Sequence, residues 1–154
     1  MASTADAAAR EDVRRAGLAA DGPLPRLLSL LRAAPETHID AAGAQRIAAE
    51  GGLGIGRAEL GEMLEALAAR GLLGRVPTTG GALYDTVTHP HSHLVDEATA
   101  TMVDLDVSPE TLSAIIRQAI ADQPGRVEVL LRIRAPRPAE AGPRKAGRPR
   151  MAAR

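Results

Sequence analysis

The residues with most chemistry to offer are gathered in YDTVTHPHSHLVDE, Tyr84–Glu97, where His89, His91 and His93 stand at every second position and Asp85 precedes them. In an extended chain residues i and i+2 face the same side, so His91 and His93 can turn imidazole nitrogens toward one ion. His89 shares their parity, but Pro90 bends the path between them and ranks it below the other two. Imidazole with a carboxylate suits Zn, Fe(II), Mn or Co rather than Ca or Mg. An isolated HxH is more often a pair of surface side chains than a ligand pair. Here three of the chain's four histidines lie beside an aspartate, which favours the metal. A metal held in this way could activate water, yet no further Glu or His is placed as a general base. Without a Ser/His/Asp order, a phosphate-cradling glycine loop or a nucleotide motif, the sequence reads as a non-enzyme.

The elements that must position these residues can be read from period and punctuation. At 154 residues the chain holds one compact domain or two small ones. Its apolar residues are aliphatic, with one Tyr and no Phe or Trp, which argues against stacking on single-stranded nucleic acid. The absence of Cys excludes disulfides, thiolate zinc and cysteine nucleophiles, and suits a reducing cytoplasm. No apolar run approaches membrane-spanning length and the N-terminus lacks a signal-peptide core, so a soluble cytoplasmic protein with no membrane partner is expected. Four helical stretches follow one another: DAAAREDVRRAGL, PLPRLLSLLRAAP, a segment N-capped by Asp40, and GRAELGEMLEALAARGLL with Leu60, Met63, Leu64 and Leu67 at helical spacing. Then LLGRVPTTGGALYDTV reads as a hairpin turning at TTGG. Helices followed by such a hairpin describe a winged helix-turn-helix. Farther on, HSHLVDE and ATMVDLD read as strands, SPETLSAIIRQAIADQ as a helix capped by Ser108, and GRVEVLLRIR as a last strand. The expected organisation is α+β: a winged helix-turn-helix over 1–83, a small α/β unit over 84–135, and a disordered basic tail over 136–154. The zero net charge is divided unevenly. Arg132–Arg154 carries eight Lys or Arg against Glu140 alone, whereas Tyr84–Leu131 carries eight acids against Arg117 and Arg126.

This order of elements resembles the ferric uptake regulator (Fur) family. The segments that carry the resemblance are AGL…LPRLLSLL, HIDAAGAQRI, ARGLLGRV and ALYDTVTHPHSHLVD, and residues 12–135 are covered. The iron response regulator branch is the most similar, with its own FDT, His cluster and LVDI. The resemblance implies a homodimer joined through the second unit, binding double-stranded DNA in response to a metal. It places the regulatory metal site on His38, Asp85, His91 and His93, with Zn or Fe(II)/Mn(II), one per subunit, as the ion. Haem bound through the same histidines is the second option that the branch implies. The family's other metal site is depleted here, since Pro90 or Ser92 stands at one of its positions and no His follows His93.

The sequence departs from the family where DNA is read. Glu59, Leu60, Gly61 and Glu62 stand where the family has a TVYR-like stretch, and Glu65 follows one turn later. Carboxylates facing a row of phosphates cost affinity where cations would release counterions. Arg14, Arg15, Arg26 and Arg57 remain as phosphate contacts. The tail PRKAGRPRMAAR resembles an AT-hook, whose Arg148 and Arg150 would enter an A·T-rich minor groove flanking Gly147 and Pro149. Two readings follow: a metal- or haem-responsive DNA-binding regulator, or a divergent metal-binding interaction protein that has lost sequence-specific readout.

Overall fold

A computed structural model describes residues 3–96, 98–99 and 101–129. Helix α1 (Thr4–Arg15) starts at Ser3, whose hydroxyl accepts the Ala5 N–H while the Asp6 carboxylate accepts the Ser3 N–H. Helix α2 (Leu24–Ala33) buries Leu27, Leu28 and Leu31, and is tied to α1 by the Arg26–Asp6 and Arg32–Asp12 ion pairs. Strand β1 (His38–Ile39) was not foreseen, because two residues are too few to display a period. Asp40 then caps α3 (Ala41–Glu50), its carboxylate accepting the Gly43 N–H at 2.6 Å. Helix α4 (Arg57–Ala69) places Leu60, Leu64 and Leu67 on one buried face. Both α3 and α4 end on a left-handed glycine, Gly52 at φ 77° and Gly71 at φ 72°. The next amide in each case reaches back into the helix, Leu53 to the Ala48 carbonyl and Leu72 to that of Leu67.

Strands β2 (Gly74–Thr78) and β3 (Gly81–Asp85) form the expected hairpin, with Thr78 opposite Gly81 across the Thr79–Gly80 turn. The sheet order is β1-β3-β2, all antiparallel. Pro77 therefore lies on an edge strand, where its missing N–H removes no ladder bond. These elements are a winged helix-turn-helix around an aliphatic core, and Tyr84, the one aromatic residue of the Phe, Trp and Tyr types, is buried in it. Strands β4 (Ser92–Asp96) and β5 (Thr101–Leu105) make a separate antiparallel pair. Helix α5 (Pro109–Asp122) begins where the Ser108 hydroxyl accepts the Thr111 N–H.

The described residues divide into two packed units, with the boundary between Leu112 and Ser113; the winged helix, the β4–β5 pair and the site described next all belong to the first. Of the strand expected over 125–134, Val127–Val129 form no ladder and the residues from 130 lie outside the described part. The basic tail, with Arg148 and Arg150, also lies outside it.

Candidate metal centre

Three strand pairings assemble the site. In the winged-helix sheet His38 of β1 and Gly74 of β2 flank Asp85 of β3 on either side. In the second sheet His93 of β4 stands opposite Asp104 of β5. His91 precedes β4 and shares the parity of His93, as period-two geometry requires.

Five donor atoms, one each from His38, Asp85, His91, His93 and Asp104, lie within 4.8 Å of one another. The Asp85 Oδ2 is 3.0 Å from His91 Nε2, 3.1 Å from His93 Nε2 and 3.6 Å from His38 Nε2. The Asp104 Oδ1 is 3.1 Å from His38 Nε2, 3.2 Å from His91 Nε2 and 3.4 Å from His93 Nε2. Donors at about 2.1 Å from one ion and at right angles to each other stand roughly 3.0 Å apart, so these spacings are those of a coordination shell. Asp85 is held in this role by its other oxygen, which accepts the Val87 N–H at 2.8 Å and leaves Oδ2 alone for the site.

The histidines are oriented from behind. His91 Nδ1 donates to the His89 carbonyl at 2.7 Å, which fixes the tautomer with a lone pair on Nε2. Thr37 Oγ1 lies 3.4 Å from His38 Nδ1, again on the far side of the ring. Burial opposes a charge on His91, but the His89 carbonyl and the carboxylates of Asp104 and Asp85 outweigh it and hold its pKa above the ordinary histidine value. Two carboxylates among three imidazoles thus make a pocket that favours a cation. The test of fit comes from unsatisfied atoms. His38 Nε2 and Asp104 Oδ1 are buried without a hydrogen-bond partner, although only 3.1 Å apart. Buried polar atoms left without a hydrogen-bond partner inside such a cluster are what a shared cation would satisfy. An N3O2 set of this kind fits a divalent first-row ion.

The four residues His38, Asp85, His91 and His93 are brought together, and Asp104 joins them. The alternation of TMVDLD held the signal for Asp104, but only the register of β4 against β5 places it beside His93. His89 is exposed and contributes its carbonyl to the cluster, not its ring.

Of the basic residues expected to meet phosphates, Arg14 is paired with Glu11, Arg15 with Glu11 and Asp12, and Arg26 with Asp6. Arg57, at the start of α4, has no ion pair among the described residues. Along α4, Glu59 and Glu62 are exposed and Gly61 is half-buried, whereas Leu60 is in the core. Glu65 is engaged: its Oε1 accepts from the Tyr84 hydroxyl at 2.8 Å and from Arg75 Nε at 2.9 Å. The Tyr84 hydroxyl and the Arg75 guanidinium hold the Glu65 carboxyl below its usual pKa.

Comparison with solved structures agrees with this architecture. The ferric uptake regulator from Pseudomonas aeruginosa with manganese superposes with TM-score 0.60 at 23% identity, over 79% of this chain and 91% of that one. The zinc-bound manganese uptake regulator gives TM-score 0.56 at 22% identity, covering 80% and 93%. The Helicobacter pylori ferric uptake regulator, described as having three functional metal-binding sites, gives 0.57 at 14% identity, covering 84% of both chains. No protein-family model and no curated protein matches the sequence. The chain therefore has the fold of the ferric uptake regulators, an N-terminal winged helix followed by a small C-terminal unit.

Proposed function

We propose that the chain is a Fur-family transcriptional regulator that binds double-stranded DNA as a homodimer in response to a divalent metal, one per subunit, in the cytoplasm. The observation that carries this is the convergence of five donors, with His38 Nε2 and Asp104 Oδ1 buried and without a hydrogen-bond partner. An ion there would link β1 and β3 of the winged helix to β4, β5 and the segment before them. Occupancy would then favour one arrangement of these elements, the requirement for a ligand to shift a conformational equilibrium. A bare ion fits better than haem, because porphyrin leaves its iron only two axial positions and five donors this close leave no room for the macrocycle. The donor chemistry admits Zn, Fe(II) and Mn(II) alike.

The dimer is supported by the β4–β5 pair, which pairs with no other strand among the described residues and exposes Leu94 and Val103, cross-strand neighbours on one face. We assign the winged helix to 1–83, the metal-binding and dimerisation unit to 84–135 and an A·T-groove contact to Arg148 and Arg150. Native mass measurement with metal analysis, followed by affinity for an A·T-rich duplex with and without Mn(II) or Zn(II) at fixed salt, tests the proposal. Metal-independent affinity sinks the switch.

The exposed Glu59 and Glu62 support the second reading, an interaction protein without base readout. A chain ending at Pro136 separates the two. If the full chain binds duplex and the shortened one does not, α4 is not the reader.

A further inference from the structure

We infer that the Tyr84 hydroxyl is a positioning group that links the metal centre to the outward face of α4 through Glu65. The inference rests on the metal reading above and concerns what the ion would move. Tyr84 and Asp85 are successive residues of β3, so their side chains leave the strand on opposite faces. Asp85 turns into the donor cluster, and Tyr84 into the core of the winged helix, where 6% of its surface remains exposed. Its hydroxyl emerges at α4 and meets Glu65 Oε1, the same oxygen that Arg75 Nε reaches from β2.

The ladder makes these two events neighbours. Gly74 pairs with Asp85 on one rung of β2–β3, and Arg75 pairs with Tyr84 on the next. The strands approach closely at the first rung, where a methyl group on Gly74 would stand 3.1 Å from the Asp85 Cβ. A displacement of Asp85 toward an ion would pass along β3 to Tyr84 on the adjacent rung, and from there to the carboxylate of α4. A phenylalanine would fill the same core volume without the tether, so packing alone does not account for a tyrosine here. The clamp also changes what α4 presents outward: Glu65 lies against a guanidinium, which leaves Glu59 and Glu62 as the acids of the helix without an ion pair among the described residues.

The chain supplies its own reporter, because Tyr84 is its only tyrosine and there is no tryptophan. Zn(II) is titrated into the metal-free full chain, with binding followed by calorimetry and Tyr84 by emission, in the wild type and in Glu65→Ala. The expected result is an emission change that saturates with Zn(II) in the wild type and is lost in Glu65→Ala, whose Zn(II) affinity stays within about twofold. Hydrogen exchange adds a readout independent of the fluorophore. Zn(II) should slow exchange in the second half of α4 by at least roughly twofold in the wild type, and by less in Tyr84→Phe. Zn(II) binding without an emission change, a Glu65→Ala response equal to the wild type, or equal slowing in Tyr84→Phe each overturns the link while leaving the metal site standing. Absence of Zn(II) binding in the wild type overturns the metal reading and the link together.

Discussion

Asp85 and Asp104 supply the negative charge of the donor cluster under different constraints. Asp85 is 1% exposed, with one oxygen on the Val87 amide and the other facing three imidazoles. Asp104 is partly open to solvent and has a donor-facing oxygen without a hydrogen-bond partner. Asp104→Asn should therefore fold normally yet bind Mn(II) or Zn(II) at least as poorly as proteins that lose an outer-shell partner, roughly 10–100-fold more weakly. Calorimetry decides this, and wild-type affinity in the variant would remove Asp104 from the ligand set. Glu65 carries a pH signature. Its folded pKa is lowered by the Tyr84 hydroxyl and by Arg75, so the stability it contributes is present above the ordinary carboxylate value and is lost as pH falls through the folded pKa. Because its side chain is about half exposed, the contribution is small, under about 1 kcal/mol. Urea unfolding across acidic pH should show a steeper loss for the wild type than for Tyr84→Phe, and parallel profiles would contradict the assignment.

Among the elements, β3 has the most demanding position. It is the central strand of β1-β3-β2, it carries Asp85 and Tyr84 on opposite faces, and β2 approaches it so closely that Gly74 cannot gain a side chain without displacing Asp85. Gly74→Ala is expected to weaken metal binding about tenfold, the low end for a displaced outer-shell support, while leaving the helical core and its far-UV dichroism intact. A Gly74→Ala protein with unchanged metal affinity would show that β2 yields easily. Part of this element was legible beforehand: TTGG between two short apolar runs marks the hairpin, but nothing in ALYD shows that Tyr84 and Asp85 are both buried. Its partner β1 was not, because HI offers no period and becomes a strand only through pairing with Tyr84 and Asp85.

On the scale of the molecule, the β4–β5 pair is the least self-sufficient part of the fold. A two-stranded ribbon is marginal alone, and this one exposes Leu94, Val95 and Val103. In the proposed dimer a second copy would cover these exposed apolar residues. Leu94→Lys combined with Val103→Lys should convert a dimer into a monomer by native mass, with calorimetric metal binding retained because neither residue is a donor. A dimer that survives both changes would place the interface elsewhere.

The sequence by itself determined the helices, the caps at Asp40 and Ser108, the wing and the likeness in element order, because those features depend on local period, on Gly and Pro conformational limits, and on side chains reaching their own backbone. It also marked the HxH pair, since i and i+2 share a face in any extended chain. Asp104 and the Tyr84–Glu65–Arg75 clamp were decided only by tertiary structure. Asp104 reaches its place through the register of β4 against β5, and Glu65, which in sequence is one more carboxylate on an acidic helix, becomes the acceptor of the Tyr84 hydroxyl 19 residues away. Register and helix docking are set by how whole elements pack, and no short window of sequence contains that information.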